Sequence, residues 1–140
     1  MAEILKARDL GQPGAPIVAV KRILPHLIDD RQFVTMFKDE SRVLAQLTHA
    51  NIIRTLAVGE VEETPFIALE YVFGPDARNV FHRSRRNEQP IPIAIGCHII
   101  AEVCAGLDHA HEQADAEGNL LGVVHRDVSL QNDETIANSR

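Results

Sequence analysis

The string VVHRDVSLQN, residues 123–132, holds residue types that phosphoryl-transfer chemistry uses. Asp127 follows directly on His125 and Arg126, and Asn132 stands five positions further on. A carboxylate placed in such a loop can orient an attacking hydroxyl and accept its proton. A neutral amide oxygen beside it can hold a magnesium ion next to phosphates. A His-Arg-Asp triplet alone is unremarkable; the triplet, the spaced asparagine and the preceding valines form a much rarer combination.

Two further candidates lie near the N-terminus. Lys21 belongs to a β-branched run over residues 16–24, PIVAVKRIL, the first clear strand in the sequence. Alternation puts Ile17, Ala19, Lys21 and Ile23 on one face and Val18, Val20 and Arg22 on the other. Lys21 is then either a strand-end lysine with a buried stem and a wet head, or a cation meeting a partner. The next element is a helix from about Asp30 to Leu47, with Asp29 and Asp30 available as caps. Phe33, Phe37, Leu44 and Leu47 follow one helical stripe, and the position read as completing it is Glu40. A carboxylate on an apolar seam is costly unless a cation meets it. Glu40 is therefore either a surface residue at the edge of the stripe or the partner of a buried cation, for which Lys21 is the nearest earlier candidate.

Later segments position the remaining parts. Thr55–Val58 and Pro65–Val72 read as an antiparallel pair joined by the polar connection GEVEET. Gly74 and Pro75 break the pattern, Asp76 can cap a short helix, and Arg83, Arg85 and Arg86 read as its solvated end. Pro90 and Pro92 introduce a long, largely buried helix over Ile93–Glu112. Its stripe is Ile93, Cys97, Ile100, Cys104, Leu107 and His111. Cys97, His98, Cys104, His109 and His111 match no zinc spacing, so the cysteines read as small core hydrophobes.

Composition bounds the class. The chain has 140 residues, 45% of them hydrophobic and 24% charged, which excludes disordered and collagen-like chains. Lys plus Arg is 14 and Asp plus Glu is 20, a net charge of −6. An acidic chain is a poor binder of nucleic acid through bulk charge. No apolar run nears the roughly 18 residues that span a bilayer, the N-terminus is charged too early for a signal peptide, and two cysteines make no disulfide framework. A cytoplasmic location is expected.

With these residues in view, the chain resembles the eukaryotic-like (Hanks-type) serine/threonine protein kinases of bacteria, and most of all their myxobacterial members. VAVK at 18–21 resembles the family's β3 lysine motif, and Glu40, 19 residues on, resembles its αC glutamate. LTHANII is similar to the family's L-x-H-P-N-I-V connection with Ala50 for proline, FIALEYV resembles its fifth strand and hinge, and VVHRDVSLQN resembles its catalytic loop. The resemblance implies ATP and Mg²⁺ as cofactors and a protein hydroxyl as acceptor. It implies Asp127 as base, Asn132 as metal ligand and Lys21, paired with Glu40, on the α- and β-phosphates. Ala19 would line the adenine pocket, Leu69 is the gatekeeper, Glu70 to Val72 are the hinge, and Asp76 is the ribose-side polar residue.

The departures from the family pattern are specific. G-x-G-x-x-G is absent; MAEILKAR resembles the stretch just after the first glycines of that motif, so the family's first strand and most of its glycine-rich loop are expected to be missing. Ser129 stands where these kinases usually carry a lysine, and Leu130 where they carry proline. After Asn132 the sequence reads DETIANSR, with no D-F-G and no A-P-E. The fold expected is α+β: an incomplete kinase-like two-lobe arrangement, with residues 1–72 as a small lobe and 73–140 as the start of a large lobe. The function expected by family is ATP-dependent serine/threonine kinase, as a fragment with little activity of its own. The alternatives are a pseudokinase-like interaction module and a decayed gene product. The stripe of the 93–112 helix is expected to be partly uncovered and open to a protein partner.

Overall fold

The computed structural model describes residues 2–125, 127–129 and 136–137. They form two compact units, one built from residues 2–48, 53–72 and 136–137 and the other from 49–52, 73–125 and 127–129.

The first unit is a sheet with one helix. The order of its five strands is β3-β4-β2-β1-β5. β1 (Ala2–Arg8) pairs antiparallel with β2 (Ile17–Ile23) along its whole length. The sequence pattern marks 16–24 as the first clear strand, so β1 is an addition to it. MAEILKAR is charged, yet cross-strand pairing accounts for the charge: Glu3 lies opposite Arg22, and the Arg22 Nε donates to Glu3 Oε1 at 2.7 Å. β2 also pairs with β4 (Thr64–Glu70), which pairs with β3 (Thr55–Val61). Most of GEVEET is therefore strand, and the turn shrinks to Glu62 and Glu63, both at positive φ (49° and 61°). Those values are what a two-residue type I′ hairpin requires. The two-residue β5 (Ile136–Ala137) runs parallel to β1.

α1 (Arg31–Leu44) starts where Asp30 accepts hydrogen bonds from the backbone N–H groups of Gln32 and Phe33. It lays Phe37 against Ile23 and Ile67, the buried core of the unit, with Val34, Leu44 and Leu69 around it. The position that completes the stripe is Ser41, at 1% exposure, and not Glu40. The Ser41 hydroxyl donates to the Phe37 carbonyl at 2.6 Å, so it can be buried without an unsatisfied polar atom. Lys38 Nζ meets Glu60 Oε2 at 2.6 Å and ties the helix to β3.

The second unit holds α2 (Ala77–Arg86) and α3 (Ile93–His111). Asp76 caps α2, accepting from the backbone N–H of Asn79. α3 begins after Pro92, whose carbonyl accepts from the Ile95 and Gly96 amides. The largely buried helix read from the sequence is corrected: only Gly106 and Ala110 of α3 are buried, while Ile93, Ile100 and Val103 are exposed. α3 has the length and composition of a bilayer-spanning segment, which corrects the reading that none comes near it; a core helix shares both properties. Residues 49–52 belong to this unit. Asn51 Nδ2 donates to the Glu102 carbonyl (2.9 Å) and to its carboxylate (2.7 Å). A Cβ at Gly106 would stand 3.2 Å from the Asn51 carbonyl oxygen, an approach that glycine relieves.

Candidate active site

Register decides what shares a face in the first unit. Ile4 pairs with Lys21, which pairs with Ile67; Lys6 pairs with Ala19, which pairs with Leu69. These are two rows across three strands, and antiparallel partners point to the same side. At one end of this face lie Ile23, Ile67 and Phe37, fully packed. At the other end Ile4, Ala19, Lys21 and Leu69 are only half-buried. The result is a mostly apolar wall with two cations on it, Lys6 and Lys21, joined to the packed core.

The ion pair expected from the sequence is present: Lys21 Nζ lies 3.0 Å from Glu40 Oε1. Its surroundings differ from those expected. The Lys21 side chain is 15% exposed, but Glu40 is 48% exposed at the flank of the seam that Ser41 fills. Glu40 is thus free of the desolvation cost assigned to it, and the pair is worth less than about 1 kcal/mol to stability. What it does is hold a long flexible cation in one place on the wall.

At the end of β4 the backbone is fixed by reciprocal bonds. The Glu70 carboxylate accepts from the Arg54 N–H at 2.8 Å, and the Glu70 N–H donates to the Arg54 carbonyl at 3.0 Å. The Glu70 side chain is therefore engaged in structure. Tyr71 is half-buried and Val72 is exposed. Lys6 Nζ lies 4.7 Å from the Tyr71 ring centroid. Ile4 and Lys6 do not stand out in the sequence, whereas Tyr71 falls within the hinge run Glu70 to Val72; the signal for Ile4 and Lys6 is strand alternation in MAEILKAR once it is paired with β2.

Asp76 and Asp127 lie in the second unit. Both Asp76 oxygens are engaged with Asn79, one with its backbone N–H and one with its side-chain amide, so the cap occupies the carboxylate read as the ribose-side group. Asp127 is exposed, and its backbone N–H donates to His125 Nδ1 at 3.3 Å. His125 thus acts on the backbone of the loop that carries Asp127. Ser129 is described and exposed; Asn132 lies outside the described residues. Upstream, a bridge between Ala114 and Leu120 closes a loop around Asp115. Hydrogen bonds from Asn119, first from its side chain and then its backbone, hold the Asp115 carboxyl below its ordinary value.

The half-buried wall, with its backbone on one side and Lys21 held by Glu40, suits a nucleotide: a flat apolar ring against Ala19 and Leu69 and an anionic tail toward Lys21. No comparable fit can be made for magnesium, because Asn132 is outside the described residues.

Known proteins resemble this chain over most of its length. The sequence matches the family described as protein kinase domain over residues 5–132. It is 38% identical over 133 residues to the tyrosine-protein kinase MasK of Myxococcus xanthus, covering 94% of this chain and 21% of that one. It is 31% identical over 136 residues to the serine/threonine-protein kinase PknB of Mycobacterium leprae, covering 94% of this chain and 20% of that one. Among solved structures, the kinase domain of PknI from M. tuberculosis superposes with a TM-score of 0.70 at 31% identity, covering 94% of this chain and 48% of that one. The chain therefore spans about a fifth of these curated relatives and about half of this solved domain.

Proposed function

Since the chain belongs to the protein kinase family, with an incomplete kinase-like α+β fold, we propose that it is part of an ATP-dependent serine/threonine protein kinase. The observation that carries this reading is the Lys21–Glu40 ion pair at 3.0 Å, set on a half-buried wall of Ile4, Ala19 and Leu69.

In this reading the adenine ring lies against Ala19 and Leu69, and the backbone of Glu70 to Val72 recognises its edge. Lys21 meets the α- and β-phosphates, and Glu40 holds it in position. ATP supplies the phosphoryl group. Asp127 orients the acceptor hydroxyl of a protein substrate and takes its proton. Asn132 is the proposed magnesium ligand, and no step here is derived through the metal. Asp76 serves as a ribose contact only if it releases Asn79. A cytoplasmic setting follows from the same reading.

The test separates binding from transfer. These 140 residues contain no G-x-G-x-x-G and no D-F-G, so the chain is expected to bind ATP and to transfer phosphate poorly. Radiolabelled ATP is offered with casein as acceptor, with Asp127→Asn as control. Label on serine or threonine that vanishes in the control supports the catalytic assignment directly; label on tyrosine would overturn the acceptor class. Failure of the folded chain to bind ATP would overturn the nucleotide-wall assignment.

A second reading, a non-catalytic docking module, is favoured by one observation: the apolar residues Ile93, Ile95, Ile99, Ile100 and Val103 of α3 are all exposed. A monomeric chain that melts cooperatively and binds no apolar dye would count against it.

A further inference from the structure

The Lys6–Tyr71 contact has no role in the chemistry above, yet it crosses the wall that the chemistry uses. Lys6 is on β1 and Tyr71 follows the end of β4. These strands are not neighbours; β2 runs between them. Two inter-strand spacings separate them by roughly 9–10 Å. The ammonium of Lys6 nevertheless sits 4.7 Å from the centre of the Tyr71 ring.

The residue between them explains how. Ala19 is the partner of Lys6 in β1 and of Leu69 in β4. Tyr71 stands two residues past Leu69, just beyond the end of β4, and its ring meets the Lys6 ammonium. A methyl group at Ala19 leaves a notch in a row otherwise made of longer side chains. The Lys6 stem can pass over that notch, and a larger residue at 19 would stand in its way. The same notch is where a flat base would lie.

We propose that Lys6 sets the affinity of the nucleotide wall for a base, as a strap held shut across the Ala19 notch by the Tyr71 ring, which an entering base must displace. The inference rests on the nucleotide reading above and adds to it a residue and a direction of effect. A lysine whose ammonium contacts a bound ligand would raise affinity. One that must first leave an aromatic ring lowers it, by the worth of an exposed cation–π contact, about two- to fivefold in affinity. The effect sits at the base end, so it is the same for adenosine as for ATP.

Tyr71 provides its own probe: the chain has one tyrosine and no tryptophan. Adenosine and ATP are titrated into the full chain, followed by Tyr71 emission and by calorimetry, for wild type, Lys6→Met, Tyr71→Leu and the double variant. Lys6→Met keeps the stem length and removes the charge. It is expected to change Tyr71 emission without ligand and to tighten adenosine and ATP binding by the same factor, about two- to fivefold. In the Tyr71→Leu background, Lys6→Met is expected to change nothing. Weaker adenosine binding by Lys6→Met overturns the proposal. So does unchanged adenosine binding, an effect confined to ATP, or a Lys6→Met effect that persists without Tyr71. If neither ligand binds any of the four folded chains, the nucleotide reading falls and this proposal falls with it, whereas binding that ignores Lys6 overturns the proposal alone.

Discussion

α1 and α3 each carry an apolar stripe at helical spacing, and they end in opposite surroundings. On α1, Phe37 and its neighbours meet a sheet that presents Ile23 and Ile67, and all three become buried. On α3, Ile93, Ile100 and Val103 follow a comparable pattern and remain exposed. Periodicity states which face of a helix is apolar; it does not state that anything covers that face. The α1 stripe sits beside its sheet in a unit dense with strand pairing. The α3 stripe is anchored on a different side, through Gly106, Asn51 and Glu102.

The strongest way to break this comparison is to truncate one residue from each stripe's surroundings. Ile67 is 0% exposed, and Ile67→Ala is expected to cost about 2–5 kcal/mol in urea unfolding followed by circular dichroism. Ile100 is exposed, and Ile100→Ala is expected to stay within about 0.5 kcal/mol of wild type. Equal costs would show that α3 is covered in solution and that its stripe has found a partner.

A smaller effect is expected from the anchor itself. Asn51→Ala removes the donors to the Glu102 carbonyl and carboxylate. The bond to the carboxylate is charge-assisted and the one to the carbonyl is neutral, and both are exposed, so a loss of about 1 kcal/mol is expected. Hydrogen exchange should quicken around residues 49–52 and the last turns of α3, and leave β2 and β4 unchanged. Exchange that quickens in the sheet as well would mean that the two regions are not separate in stability.

These contrasts also show what could be read from the sequence. Lys21 and Glu40 were legible because both stand where a charge is conspicuous, and they do pair. The stripe position assigned to Glu40 was off by one. Counting four residues from Phe37 gives Ser41, a polar residue that suits a buried seam because a serine can bond to the carbonyl four residues back. The β2 and β4 strands were legible from their β-branched runs and α2 from its Asp76 cap. β1 was not, because its Glu, Lys and Arg mask the alternation until Arg22 supplies a partner. The end of β3 was hidden by the glycine and glutamates of GEVEET. The exposure of α3 was only half legible, since burial is a property of neighbours and not of the helix.

The β3–β4 turn offers a stabilising change that sharpens the first unit's side of the comparison. Glu62 and Glu63 both adopt positive φ, which costs an L side chain and not a glycine. Replacing the pair through Glu62→Asn and Glu63→Gly is expected to raise stability by about 0.5–1 kcal/mol and to leave nucleotide binding unchanged. A loss of stability would mean that the glutamates make contacts that outweigh their backbone strain.

The smallest expected effect is in the second unit and depends on pH. The Asp115 carboxylate accepts from the backbone N–H groups of Glu117 and Asn119 and from the Asn119 side chain. These bonds favour the charged form and hold the carboxyl below 3.8. The folded loop therefore binds a proton less readily than the open loop does. Its stabilisation is fully present above the open-loop value and is lost as pH falls through the lowered folded value. The group is at the surface, so the effect is confined to the loop. Amide resonances of Glu117 and Asn119, followed from about pH 6 to about pH 2.5, should hold steady and then shift together as the Ala114–Leu120 bridge opens. In Asp115→Asn the same resonances should lose that acid transition. A transition that survives the substitution would place the titrating group elsewhere, and the loop would then owe its shape to Gly118, whose positive φ sets the turn, and not to the carboxylate.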